Sequence, residues 1–349
     1  MLDLQEKTEF RPTGNLLALC LASFTVTIGF GVILPFFPLY AREILSEINT
    51  GWFLIGIALQ IGIMVSAFTF TRFFLAPVYG DLSDLIGRKP IILVGMSIYV
   101  LVMIGFGLAF DFLTLLIFRA LQGMASAAVW PVGEALVVDT CPEEKVGRNL
   151  GYYIVSMQGG LALGPFAGFS FYFILFEIFK LSEVLSYRLS FICVGIFGLL
   201  ATLIIAVMVK DPKLLETQIS LKNLYASTFK AMIRKTIESP RYLHKTLKAN
   251  GDYRTRSIYV VYSVAAVIGF CSAMIFPLIS LFLDDYFHLG GAVALIIGIV
   301  GVLALTGGPA GGYLSDRIGR KHAVWIAELI SGTLLILVGL FSNLIILIV

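Results

Sequence analysis

The amino-acid sequence predicts an all-α, polytopic membrane helix bundle of two pseudo-symmetric six-helix halves, with the second half incomplete. Three observations predict it. The 349 residues are 58% hydrophobic and only 13% charged, with a mean hydropathy of +0.94, which is more apolar surface than a soluble domain of this length can bury. The apolar residues gather in runs close to the roughly 20 residues that cross a bilayer as a helix. A ten-residue segment, GDLSDLIGRK at 80–89, recurs as GYLSDRIGRK at 312–321, each copy between two apolar runs.

Taken in order, the runs place spans at about 15–39, 52–79, 90–109, 112–137, 149–174, 187–209, 257–283, 290–313 and 322–342. The first fourteen residues are polar and charged and lack the short apolar core of a secretory signal, so the first span is expected to be retained. With the N-terminus placed in the cytoplasm, that side collects Lys7, Arg11, Arg88, Lys89, Lys145, Arg148, the eleven Lys/Arg of 210–256, Arg317, Arg320 and Lys321. The outer loops hold only Arg42, Lys180 and Arg188. Positive charge retained on one side orients a multi-pass protein of the plasma membrane.

The polar stretch 210–256 divides the chain into a first bundle, 1–209, a cytoplasmic linker, 210–256, and a second bundle, 257–349, holding spans 7 to 9 and the start of span 10. Within the linker, Leu221, Leu224, Tyr225, Phe229, Met232 and Ile233 recur at helical spacing beside Lys222, Lys230, Arg234 and Lys235. That pattern reads either as an amphipathic helix on the inner leaflet or as a solvated connector. The repeat implies a parallel duplication. It makes Val349 the counterpart of Ile117, inside the fourth span of the second half, and a matching half is expected to need roughly 90 further residues.

The motif residues Gly80, Asp84, Gly87, Arg88 and Lys89 lie in what the span boundaries make a short loop. Gly87 would turn it sharply and Gly80 would admit a neighbouring helix. Asp84 can face a helix N-terminus or an arginine, and Arg88 can pair with Asp139 near the end of span 4. The spacing resembles the signature motif of the major facilitator superfamily, and its second copy supplies Gly312, Asp316, Gly319, Arg320 and Lys321. The resemblance implies that this network latches the two bundles at the inner gate. Leu85 stands where the family often has a basic residue, which Arg317 supplies in the second copy.

Span 4 carries a polar face, because Arg119, Gln122, Gly123, Ser126, Trp130 and Glu134 fall within about 120° around a helix. An arginine inside a span either faces a cavity or snorkels to the surface. The segment resembles the span-4 motif of the superfamily, whose arginine is linked to proton transfer in proton-coupled antiporters. Glu134, some 22 Å along the axis from Arg119, reads as a proton acceptor or an inner-gate residue.

In span 5, Gly160, Gly164 and Gly168 form a narrow stripe beside Pro165, suited to close packing with a bend. It resembles the superfamily's antiporter motif, with Phe169 in place of the last glycine. Gly29, Pro35 and Pro38 in span 1 follow the spacing seen in drug:proton antiporters, and prolines at this depth are expected to interrupt the helix ladder. Span 1 has no carboxylate, which argues against a strictly cationic substrate. Arg72 and Glu328 are secondary candidates for the cavity or for structural pairing.

The resemblance implies an alternating-access secondary transporter, most simply a proton-coupled exporter of small, largely apolar compounds. Its partners would be the lipid bilayer, the small-molecule substrate and protons, with no nucleic acid, and it would act as a monomer. A nutrient importer of the same fold and a non-transporting truncated remnant are the alternatives. The four scattered cysteines and three histidines suggest no metal cluster or disulfide framework. No phosphate-binding loop or nucleophile elbow is present in the sequence, so no enzyme activity and no cofactor are expected, and the proton gradient would be the energy source.

Overall fold

Helices account for nearly all of the described chain because backbone polar groups in hydrocarbon must be satisfied within their own segment. The computed structural model describes residues 12–47, 56–209, 211, 279–319, 322, 323, 325–327 and 329–333. Six long helices come first: α1 (Pro12–Glu47), α2 (Ile57–Ile86), α3 (Arg88–Leu108), α4 (Phe112–Thr140), α5 (Val146–Phe173) and α6 (Glu183–Met208). All six are long and apolar enough to cross a membrane. Residues 279–287 are helical and are called α7; α8 is Val293–Ile318. Among the described residues there is no strand. The expected linker lies outside them apart from Asp211, as do Arg320, Lys321 and Glu328.

Several joints follow from local chemistry. Asp111 opens α4 with a capping box, accepting from the Thr114 N–H while the Thr114 side chain accepts from the Asp111 N–H, which meets two donors a helix start leaves open. Ser182 caps α6 by accepting from Leu185 N. Between α2 and α3 the chain turns on a single residue, Gly87, at φ 96°, a conformation a side chain would strain. Gly319, at the end of α8, has φ 85°, so the repeat is visible in backbone geometry as well as in sequence.

This junction corrects the expected loop. Helix α2 runs seven residues past the boundary placed at 79 and takes Gly80 and Asp84 into its last turns, while Arg88 and Lys89 open α3. A helix is free to continue beyond the hydrocarbon once its side chains turn polar. The role expected of Gly80 is also revised: a Cβ there would have no heavy atom within 4 Å among the described residues. The helix stop comes from Gly87. In α1, Pro35 and Pro38 lie inside one continuous helix.

Small residues set the helix contacts. Helices α1 and α5 meet where Gly31 faces Gly164: a Cβ on Gly31 would come within 2.8 Å of the Gly164 Cα. One turn away on either side, Gly160 lies against Thr27 and the Phe24 carbonyl, and Gly168 against Val32 and Phe36. Gly123 of α4 lies on the Phe68 backbone of α2, and Gly95 of α3 lies on Ala128 and Val129 of α4. Gly29 rests on the Tyr99 hydroxyl and Val194. Lipid tails are as apolar as leucine, so close backbone approach has to supply association in place of hydrophobic exclusion. Phe73, Leu101 and Val207 are exposed, as residues facing lipid would be.

Among the described residues, the second half meets the first toward one end. Gly298 of α8 lies against Phe166, Gly301 against Ala162, and Gly291 on the Tyr172 ring, all on the half of α5 far from Arg88. Replacing Gly164 with valine is expected to lower the thermal unfolding midpoint of the detergent-solubilised protein, with an overpacking cost of about 1–3 kcal/mol. Gly62→Ala, where a Cβ meets nothing within 4 Å, should leave the midpoint nearly unchanged; equal midpoints for both variants would remove the backbone contact from the account.

Candidate functional site

The polar face of α4 turns inward. Arg119 is 8% exposed and Gln122 and Ser126 are fully enclosed, so the arginine does not snorkel. Its guanidinium lies over the Phe37 ring, with Cζ 3.4 Å from the centroid, and Phe106 adds a second ring at 5.7 Å. Arg119 Nη1 donates to Gln122 Oε1 at 2.8 Å. Among the described residues no carboxylate forms an ion pair with it. A buried charge without a counter-ion is costly, and an aromatic face offsets part of that cost.

Four polar atoms along this stripe have no hydrogen-bond partner among the described residues: Arg119 Nε, Gln122 Nε2, Ser126 Oγ and Trp130 Nε1. Tyr99 Oη, on α3, is a fifth. Each such group costs on the order of 1–3 kcal/mol, so a row of them on one helix face is a feature folding alone does not favour.

One turn on, Trp130 meets Phe30 with centroids 4.8 Å apart, and Phe30 also meets Tyr99 at 5.2 Å and Phe68 at 6.5 Å. Four helices therefore converge on Phe30. Arg72 of α2 places its Cζ 4.4 Å from the Trp130 ring, and Glu134 follows Trp130 one turn further along α4. Neither Phe30 nor Phe37 stood out in the sequence, because the chain has 28 phenylalanines and only packing decides which two meet these groups.

The second cluster is the α2–α3 junction. Arg88 distributes its guanidinium over three partners: Nε to Asp139 Oδ2 at 2.9 Å, Nη2 to Asp84 Oδ1 at 2.6 Å and Nη1 to Ser83 Oγ at 2.6 Å. Lys89 donates its backbone N–H to Asp211 at 2.8 Å and its ammonium to the Ala206 carbonyl at 2.7 Å. The ends of α2, α3, α4 and α6 are thus tied together, all within the first half. Asp211, 3% exposed, was hidden by its place in a polar stretch; its carboxylate meets an orphan N–H at the start of α3. Gly312 and Asp316 lie in α8.

A third cluster, at the far end, was not legible in sequence. Arg42 of α1 pairs with Asp284 and, at 2.7 Å, with Asp285 of α7. Asp284 also accepts from the Gly290 N–H, and Ser280 donates to the Leu34 carbonyl at 3.5 Å. Here charge joins the two halves, 242 residues apart in sequence.

A helical fold with a duplicated junction, a polar face on α4 and a small-residue seam between α1 and α5 invites comparison with known proteins. The model of the Major Facilitator Superfamily matches residues 19–349. The chain belongs to this superfamily. It is 29% identical over 192 residues to the quinolone resistance protein NorA of Staphylococcus aureus (strain MRSA252), a match covering 54% of this chain and 44% of that relative. The aligned region is therefore under half of NorA's length. It is 28% identical over 339 residues to the multidrug resistance protein MdtG of Proteus mirabilis (strain HI4320), covering 94% of this chain and 74% of the relative. Among solved structures, a bacterial homolog of the human lysosomal transporter Spinster, inward-facing and unoccupied, aligns with TM-score 0.59 at 20% identity over 89% of this chain and 64% of that one. A D-xylose–proton symporter aligns with TM-score 0.60 at 14% identity, over 88% and 70%. At these identities the structures share the fold alone.

In this superfamily member the Arg88–Asp139 pair is expected to be energetically coupled. A double-mutant cycle of Arg88→Gln and Asp139→Asn, read by unfolding in detergent, should give a coupling of about 1–2 kcal/mol, and simple additivity would show the contact to be incidental.

Proposed function

We propose that this protein is a secondary active transporter that works by alternating access and exports small, largely apolar compounds in exchange for protons. The observation that carries the reading is the interior face of α4. A guanidinium held by an aromatic ring and an amide, continued by unmet polar atoms and then by the Phe30–Trp130–Tyr99 aromatics, suits a pathway that meets changing polar partners over a cycle. Aromatic surface with a few convergent polar groups is also the usual lining of a site for small organic molecules.

In this reading Arg119 and Gln122 carry coupling, and Ser126 and Trp130 line the pathway. Glu134, one turn beyond Trp130 on the same face, accepts the proton. Arg88, Asp84, Asp139 and their tied helix ends move as one unit at the cytoplasmic side, where the N-terminus also lies. Gly160, Gly164, Pro165 and Gly168 give α5 the seam on which the first half holds α1 while the halves rock. The named relatives, a quinolone resistance protein and a multidrug resistance protein, support export of organic compounds from the cell across the plasma membrane. The coupling ion rests on the span-4 pattern.

Among the described residues the contacts between halves lie on the half of α5 far from Arg88, and in this reading Arg42 and the two aspartates fasten the outer side.

Two expectations test this. In energised inverted vesicles carrying the full-length protein, uptake of a fluorescent lipophilic dye into the lumen, the equivalent of efflux from the cell, should stop on collapse of the proton gradient. Arg119→Ala should reduce it at least about tenfold at unchanged membrane abundance, which corresponds to about 1.4 kcal/mol of lost stabilisation. Efflux that survives both treatments would reject proton exchange through Arg119, and gradient-driven accumulation in right-side-out vesicles would favour an importer instead. Separately, Arg42→Asp should raise thiol labelling of a single cysteine introduced near Phe37 from the outer face, and Arg42→Asp with Asp284→Arg should restore the original rate. Equal labelling in all three proteins would deny the pair its fastening role.

A further inference from the structure

The outer end of the interface between α5 and α8 contains a cavity of about 370 Å³, within the range of small-molecule sites, that the transport reading does not use. Its wall is a run of rings on α5. Phe169 and Phe173 sit with centroids 5.8 Å apart, and Tyr172 and Phe176 stack at 5.3 Å and 15°. The α-helix widens into a π turn at Ile174–Ile178, closed by Phe179 N donating to Ile174 O at 3.0 Å. The extra residue in that turn changes the register of the last side chains, and such turns recur at functional sites. Glu177 lies in the turn and Glu183 opens α6, and both line the cavity. The roof is the second half: Gly290, at φ 51°, turns the chain so that Gly291 lies flat on the Tyr172 ring, where a Cβ would collide with it.

We propose that this cavity is a binding site for an organic ammonium cation. Aromatic faces and carboxylates around one volume are the arrangement that recognises a quaternary or tertiary ammonium, through ring quadrupoles on its apolar shell and ionic attraction to its charge. The polar partners already present agree. Glu177 holds the Lys180 ammonium at 3.0 Å on an exposed and easily exchanged pair, and Glu183 accepts from Tyr187 Oη at 3.0 Å and also interacts with Tyr172, while His288 lines the same cavity from the second half. An interfacial belt of aromatics explains rings at this depth. It does not explain two carboxylates set among them under a roof from the other half. Because wall and roof belong to different halves, an occupant ties them together at the closed end. The site stands whether or not the protein exchanges protons.

Binding of benzyltrimethylammonium to the purified full chain in maltoside detergent tests this, measured by saturation-transfer NMR. Its uncharged counterpart of the same shape, neopentylbenzene, is the control. Saturable binding of the cation is expected, not displaced by the neutral compound. Glu177→Gln with Glu183→Gln should weaken it at least about tenfold; glutamine retains the acceptor for Tyr187, so the fold is kept. Phe176→Leu, which removes a ring without a charge, should weaken it as well. Glu134→Gln, in the central pathway, should leave it unchanged. Repeating the titration in nanodiscs separates the natural sources of the ammonium. Weaker apparent binding in phosphatidylcholine than in uncharged digalactosyldiacylglycerol discs, which match it in net charge, identifies a lipid headgroup as occupant, and equal binding identifies a free cation. Binding that persists in the double variant, binding of both compounds alike, loss in Glu134→Gln alone, or no saturable binding would each overturn the assignment.

Discussion

The rest of the structure depends on one constraint: in hydrocarbon, a peptide group has no partner but another peptide group of its own segment. That requirement makes the described spans helices, and it also removes the force that holds soluble helices together. Leucine against leucine gains little over leucine against a lipid tail, so association has to come from shape. Hence the seams run through glycine, with Gly31 on Gly164, Gly95 on Ala128 and Gly123 on the Phe68 backbone. Bulky side chains fill the space between, as with Phe36, Phe37, Tyr40, Phe106 and Phe191 in the first half.

The same medium dictates where charge can stand. Arg88 and its partners gather where α2 and α3 leave the apolar layer, and Arg42 with Asp284 and Asp285 where α1 and α7 do. The two clusters differ in what they join. The first ties four helix ends within one half, making a rigid unit, and the second crosses between halves, where a contact can open. Arg119, like Arg72 and Glu134, departs from the placement of charge at the ends. Its accommodation by Phe37 and Gln122, with Nε unmet, leaves a cation stable enough to be buried yet able to take another partner, a property useful to a protein that changes state.

Superfamily membership sets these features in a fold that relatives use for transport, and the proposed export activity draws on the α4 face more than on likeness. The outer cavity widens this picture. In the proposed site, wall and roof come from different halves, so an occupant would favour the arrangement that brings them together, since a ligand shifts an equilibrium only by contacting the two states unequally.

The sequence alone was enough for the helical class, the separation of the first six spans, the internal repeat and the presence of an arginine in span 4, because each depends on local composition or spacing. It misplaced the junction as a loop, since hydropathy marks the edge of the apolar layer while Gly87 marks the end of the helix. It assigned Gly80 a close contact that the described residues do not show. The tertiary structure decided which phenylalanine lies under Arg119, that Asp211 returns to α3, and that Arg42 finds two aspartates across the interface. Pairings between residues far apart in the chain leave no periodic trace, because they arise only when packed helices bring together faces that each helix carries separately.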